Sequence, residues 1–99
     1  MFYILEGEKV APCPDIRAWG EWMGKSEERL LWRTETADAL VSTVFLGSDH
    51  RYTGGGPPIV FETMVFGGEF DQAMERYATY AEAQAGHERW VTQVFGGQV

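Results

Sequence analysis

This chain of 99 residues has one cysteine, two histidines and only eight Lys and Arg residues against fifteen Asp and Glu, and each shortage removes a class of function. A lone Cys13 excludes an intrachain disulfide and a Cys-based zinc site, which fits a reducing cytoplasm. Pro12 and Pro14 on either side of it make an extended segment, not the helix N-terminus or His-paired site that activates a thiolate. With a formal charge of −7 and its few cations scattered, the chain lacks the basic cluster that neutralises phosphates. No direct contact with nucleic acid is expected. Long apolar runs are missing as well: residues 2–5 are apolar, but Glu6 ends the run. Neither a signal peptide nor a membrane span is expected, and the reading is a soluble, unexported protein of the cytoplasm without membrane contact.

What is abundant is aromatic side chains, with four Trp, four Tyr and six Phe, which supply large buried areas to a small core. The length fits a single domain spanning 1–99, large enough to fold without a metal or disulfide framework. Acidic residues such as Glu6, Glu8, Glu27, Glu28, Glu69 and Asp71 are spread along the chain. Such a surface serves solubility, and it can also attract a basic partner or imitate nucleic acid.

Local patterning gives an α+β fold. Residues 2–5 and 9–11 read as short strands around the Glu6-Gly7-Glu8 turn. Asp15 or Pro14 then opens a helix over 15–23 with Ile16, Trp19, Trp22 and Met23 on one face, stopped by Gly24. Residues 29–36 read as a strand. Residues 40–46 and 59–66 are apolar on both faces, which places them in the middle of a sheet covered on both sides by helices, loops or another subunit. Residues 74–78 make a further strand. Thr79-Tyr80-Ala81-Glu82 is a capping box opening a helix from Tyr80 to about Phe95, with Tyr80, Ala83, His87, Trp90, Val91 and Val94 on one stripe and Gly96-Gly97 at its end. The assembled expectation is a mostly antiparallel sheet of four or five strands with the C-terminal helix packed on one face and the shorter N-terminal helix nearby.

Polar chemistry concentrates in residues 41–68, VSTVFLGSDHRYTGGGPPIVFETMVFGG. The loop from 47 to 58 is longer than the two to about five residues usual for a hairpin, so packing or function must support it. Asp49, His50, Arg51, Tyr52, Gly54, Gly55, Gly56, Pro57 and Pro58 are its candidate binding residues. A loop His beside a carboxylate can act as base or metal ligand, whereas Asp is equally a turn former bonding nearby amides. Glu62 interrupts an apolar strand, so either a partner such as Arg33, Arg76, His50 or Arg51 answers it or it is simply exposed. His87, on the apolar stripe of the last helix, reads first as a core histidine bonded to backbone or carboxylate. Asp49, His50, Glu62 and His87 are the catalytic candidates, with no metal or cofactor assigned, because spacing alone does not bring them together. Gly24-Lys25-Ser26 is not a P-loop, since the required first glycine falls on Trp19; Gly54-Gly55-Gly56 has prolines and a strand after it in place of a helix N-terminus. Gly-x-Ser-x-Gly is absent.

With ERYATYAEAQAGH following it, the 41–68 stretch resembles a family of short uncharacterised proteins encoded by tailed bacteriophages and prophages. The resemblance covers roughly residues 40–88. The family favours Trp where Tyr80 stands and an apolar residue where Ser48 stands. The resemblance implies an origin in a phage genome and action in the cytoplasm of the infected bacterium, and it carries over no catalytic residue.

Three functions follow as expectations. The first is a non-enzymatic accessory protein binding a host or phage protein through the 47–58 loop and adjoining sheet edge, with charge mimicry of nucleic acid as a special form requiring the carboxylates on one face. The second is a small metal-dependent hydrolase built on the Asp49-His50 loop. The third is a self-associating structural protein, because a homodimer would cover the central strands.

Overall fold

The computed structural model describes residues 1–50 and 56–96. A hairpin of β1 (Tyr3–Glu6) and β2 (Lys9–Pro12) opens the chain and is followed by α1 (Ile16–Lys25) and a single 3₁₀ turn at Glu27–Arg29. Then come β3 (Leu30–Glu35), β4 (Leu40–Phe45), β5 (Phe61–Phe66), β6 (Met74–Tyr77) and α2 (Tyr80–Phe95). The strands β3 to β6 form one antiparallel sheet in chain order, and β1 with β2 makes a separate ribbon. The fold is α+β, with a C-terminal helix packed on the sheet.

The two central strands are those whose sequence is apolar on both faces. On the inner face, Val41, Thr43 and Phe45 of β4 stand beside Phe61, Thr63 and Val65 of β5, all fully or almost fully buried. Fully burying side chains such as Phe45 and Val65 is worth about 1.5–3 kcal/mol each. Helix α2 begins where the capping box predicts: Thr79 Oγ1 accepts from the Glu82 amide at 3.1 Å and donates to Glu82 Oε1 at 3.0 Å. It ends at Gly96, whose φ of 70° is left-handed and whose amide bonds to Thr92 O.

Helix α1 is capped by the Asp15 carboxylate, which accepts from the Arg17 amide at 2.9 Å. It runs through Gly24 to Lys25, two residues beyond the expected end at Met23, and closes at Ser26. A helical glycine weakens a helix but ends it only where the backbone turns left-handed, and Gly24 does not. Ile16, expected on the inward stripe, is 62% exposed in the first turn.

Helix α2, Leu5 of β1 and Trp22 of α1 all pack against one side of the sheet. On the inner face, α2 buries Ala83, Gly86 and His87, while Leu5 of β1 joins Phe45, Val60, Phe61, Tyr77 and Ala83 in one apolar cluster. Trp22 meets Phe45 edge-on at 5.7 Å. Trp19 packs on the Phe2 ring at 4.4 Å and donates Nε1–H to Gly47 O at 2.9 Å. Gly47 permits that approach, because its φ is +79° and a Cβ there would press on the Met23 sulfur and the Trp19 ring. The thinnest dimension, 21 Å, is one helix layer on one sheet layer. Among the described residues, the outer face leaves Leu30, Phe66 and Met74 57%, 45% and 48% exposed.

Candidate functional site

The structure separates the residues that the sequence marks as chemical. The Asp49 carboxylate accepts from the Ile59 amide at 3.0 Å, and the His50 amide donates to Ile59 O at 2.8 Å, so this pair ties the two ends of the loop together. The His50 ring is exposed, with Nε2 at 3.3 Å from Ser48 Oγ. Glu62 faces outward from β5 and is paired with Arg76 Nε of β6 at 3.0 Å. His87 is on α2, against the inner face. The sheet therefore stands between His87 and Glu62. Among the described residues, no three His, Cys, Asp or Glu side chains gather closely enough to hold a metal ion. Gly56 and Pro57 are exposed and Pro58 is half-buried; Arg51, Tyr52, Gly54 and Gly55 lie outside the described residues.

What the fold does assemble is a continuous polar chain beneath α2, to which each strand of the main sheet contributes. Thr34 Oγ1 on β3 is 3.0 Å from His87 Nε2, and His87 Nδ1 is 2.7 Å from Thr43 Oγ1 on β4. Thr43 Oγ1 is 2.6 Å from Thr63 Oγ1 on β5, which is 3.0 Å from the Tyr77 hydroxyl on β6. Tyr77 also reaches Glu75 Oε1 at 3.0 Å, where Arg89 Nη2 and Trp90 Nε1 arrive at the same distance.

The proton positions along this chain follow from its ends. Glu75 Oε1 receives N–H groups and can only accept, so the single Tyr77 proton goes to it. Thr63 must then donate to Tyr77, and Thr43 to Thr63. Thr43 therefore accepts from His87, which fixes the neutral imidazole as the Nδ1–H tautomer with Nε2 accepting from Thr34. All the bonds run one way, from β3 to β6, and among the described residues no buried side-chain polar atom lacks a partner. A satisfied chain of this kind rigidifies a core and specifies helix position. One cleft reaches the chain at Glu75, beside Arg89 and Trp90, and another at Thr43, beside Trp32; His87 lines neither.

Burial sets the titration of its two inner members. The buried His87 imidazole is held below its ordinary 6.5 by loss of solvation, with the neighbouring Glu88 charge opposing. Burial pushes the Tyr77 phenol up to about 12, the bond and charge of Glu75 adding to the rise while Thr63 donation and Arg89 oppose it. A phenol raised from 10.0 to about 12 contributes stability fully present below pH 10 and lost as pH climbs between those values. Alkaline difference absorbance should show a phenol ionising near pH 12 that Tyr77→Phe removes; loss of no late component in that variant would contradict the chain.

The outer face is the other candidate. Strand register arranges it in three rows: Glu35, Leu40 and Phe66; Arg33, Ser42, Met64 and Met74; Leu30, Val44, Glu62 and Arg76. Leu30 stands opposite Val44 beside a bulge. Phe66, Met74 and Leu30 are 45%, 48% and 57% exposed, and Leu40, Val44 and Met64 are half-buried. Arg33 pairs with Glu35 at 3.2 Å on one edge, as Arg76 pairs with Glu62 on the other. Phenylalanine and methionine on an otherwise solvated sheet face are the residue types enriched in protein interfaces.

No protein-family model, curated protein or solved structure matches this chain. Its reading therefore rests on its own geometry. Sequence reasoning places His87 inside but expects a backbone or carboxylate partner, whereas the partners are two threonine hydroxyls. The available signal was a threonine on the inner face of each central strand, Thr43 and Thr63, flanked by Val41, Phe45, Phe61 and Val65. Thr34, Glu75 and Tyr77 gave no such signal, because their role depends on which residues the register sets side by side.

Proposed function

We propose that this chain is a non-enzymatic accessory protein that works by binding another protein through the outer face of its four-stranded sheet. The uncovered apolar face carries the reading: a sheet with one sealed and one apolar, solvated side is a docking surface. The 47–58 loop becomes secondary, because Asp49 and the His50 backbone bind Ile59 and thereby hold the loop ends. The acidic residues outside the outer face are spread over β1 and the turn after it, α1 and its cap, the 3₁₀ turn, the β3–β4 turn, the 47–58 loop, the β5–β6 turn, β6 and α2, an arrangement that favours solubility over imitation of nucleic acid.

Encoding by a tailed bacteriophage or prophage, and action in the cytoplasm of the infected cell, are part of the same proposal. They rest on the 40–88 resemblance. In addition, no helix among the described residues is long and apolar enough to cross a membrane.

Co-purification of the untagged chain from bacteria tests the binding reading. A protein partner, either a further copy of this chain or a different protein, retained by wild type and by His50→Ala but released by Phe66→Asp, is the expected result. Retention by Phe66→Asp, or a turnover activity that His50→Ala abolishes, would overturn it.

A further inference from the structure

We infer that the occupant of the outer face is a second copy of this chain, packed face to face across a two-fold axis. The inference rests on the docking reading above and adds the identity of the partner. Its first ground is charge. The chain carries −7 overall, yet the charged residues of the outer face are Arg33, Glu35, Glu62 and Arg76, which sum to zero. The whole excess of negative charge lies elsewhere on the molecule. Two copies repel each other through any other broad surface and meet no like-charge excess through this one. A basic partner, by contrast, would be drawn to the acidic remainder and away from this neutral patch.

The second ground is self-complementarity of chemistry. Both edge charges are already paired within the chain, Arg33 with Glu35 and Arg76 with Glu62, so a second sheet about 10 Å away covers them without orphaning a charge. Phe66, Met64 and Met74 then interdigitate with the same residues of the copy, as an isologous interface requires.

Sedimentation or native mass measurement on the untagged full chain, from micromolar to several hundred micromolar, tests this. Wild type should have twice the mass of one chain at the upper concentrations and dissociate on dilution. Phe66→Asp and Met74→Asp each set two carboxylates against each other across the axis and should be monomers throughout. Ile16→Asp, on exposed α1 away from this face, should remain dimeric. The aromatic near-ultraviolet circular dichroism monitors the fold independently, since Trp22, Trp32 and Trp90 contact residues of the inner side. A wild type that is monomeric at every concentration overturns the inference, and so does a dimer that survives both Asp variants. A monomer that still holds a different protein, lost in Phe66→Asp, overturns the second copy and leaves the docking reading standing.

Discussion

Replacing His87 with alanine should cost about 3–5 kcal/mol of unfolding free energy at neutral pH and abolish one component of acid sensitivity. Removing the ring opens a cavity beneath α2 and strips Thr34 and Thr43 of their buried partner. The Trp32 ring, 5.9 Å from the imidazole, loses a packing neighbour as well. The pH effect has a definite sign. Burial holds the native imidazole below its ordinary 6.5, so between the native value and 6.5 the unfolded chain binds more protons than the native one. Stability from this residue is complete above about pH 6.5 and falls as pH drops toward the native value. Glu88 is the charge that opposes the shift, and the groups hydrogen-bonded to the ring are the neutral Thr34 and Thr43. Denaturant melts across the acid range should show a slope in wild type that His87→Ala lacks. Parallel pH profiles for the two proteins would contradict a neutral, buried His87.

Gly86→Ala should destabilise by about 2–4 kcal/mol, the opposite of what helix propensity alone gives. In an exposed helix interior, Gly to Ala gains about 1 kcal/mol. At position 86 the added Cβ would overlap the Tyr77 ring, which is buried and tied by its hydroxyl to Thr63 and Glu75. The helix must lift from β6, stretching the polar chain on either side of the contact. Gly20→Ala and Gly24→Ala in α1 meet nothing within 4 Å and should each be neutral or gain up to about 1 kcal/mol. Thermal melts of the three variants separate the backbone effect from the collision. A Gly86→Ala protein as stable as wild type would show that α2 does not approach Tyr77 so closely.

Elements with a local cause were legible in the sequence. Helix α2 is announced by Thr79 and Glu82 and ended by Gly96, and the central position of β4 and β5 follows from apolar residues on both of their faces. Glu62 was open to pairing or to simple exposure, and the structure pairs it with Arg76. Features that depend on register were not legible. Opposing Thr43 to Thr63, Thr63 to Glu75 and Phe61 to Tyr77 requires knowing which residues pair across strands, and a shift of one residue would turn every one of them to the other face. The loop drew attention because Asp49 and His50 are adjacent, but adjacency in an extended loop does not set two side chains on one target. The apolar second face of β4 and β5 was visible in the sequence; that α2 packs on the opposite face is a matter of tertiary placement.

The central claim, that the outer face is covered when the protein works, is tested most directly by peroxide footprinting of methionine. Met1 and Met74 are 72% and 48% exposed in the single chain, so both should oxidise readily if the chain stands alone. In concentrated wild type, the account predicts Met74 strongly protected relative to Met1, with protection lost in Phe66→Asp. Oxidation of Met74 at a rate close to that of Met1 in wild type and Phe66→Asp alike, at concentrations where the protein functions, would contradict it.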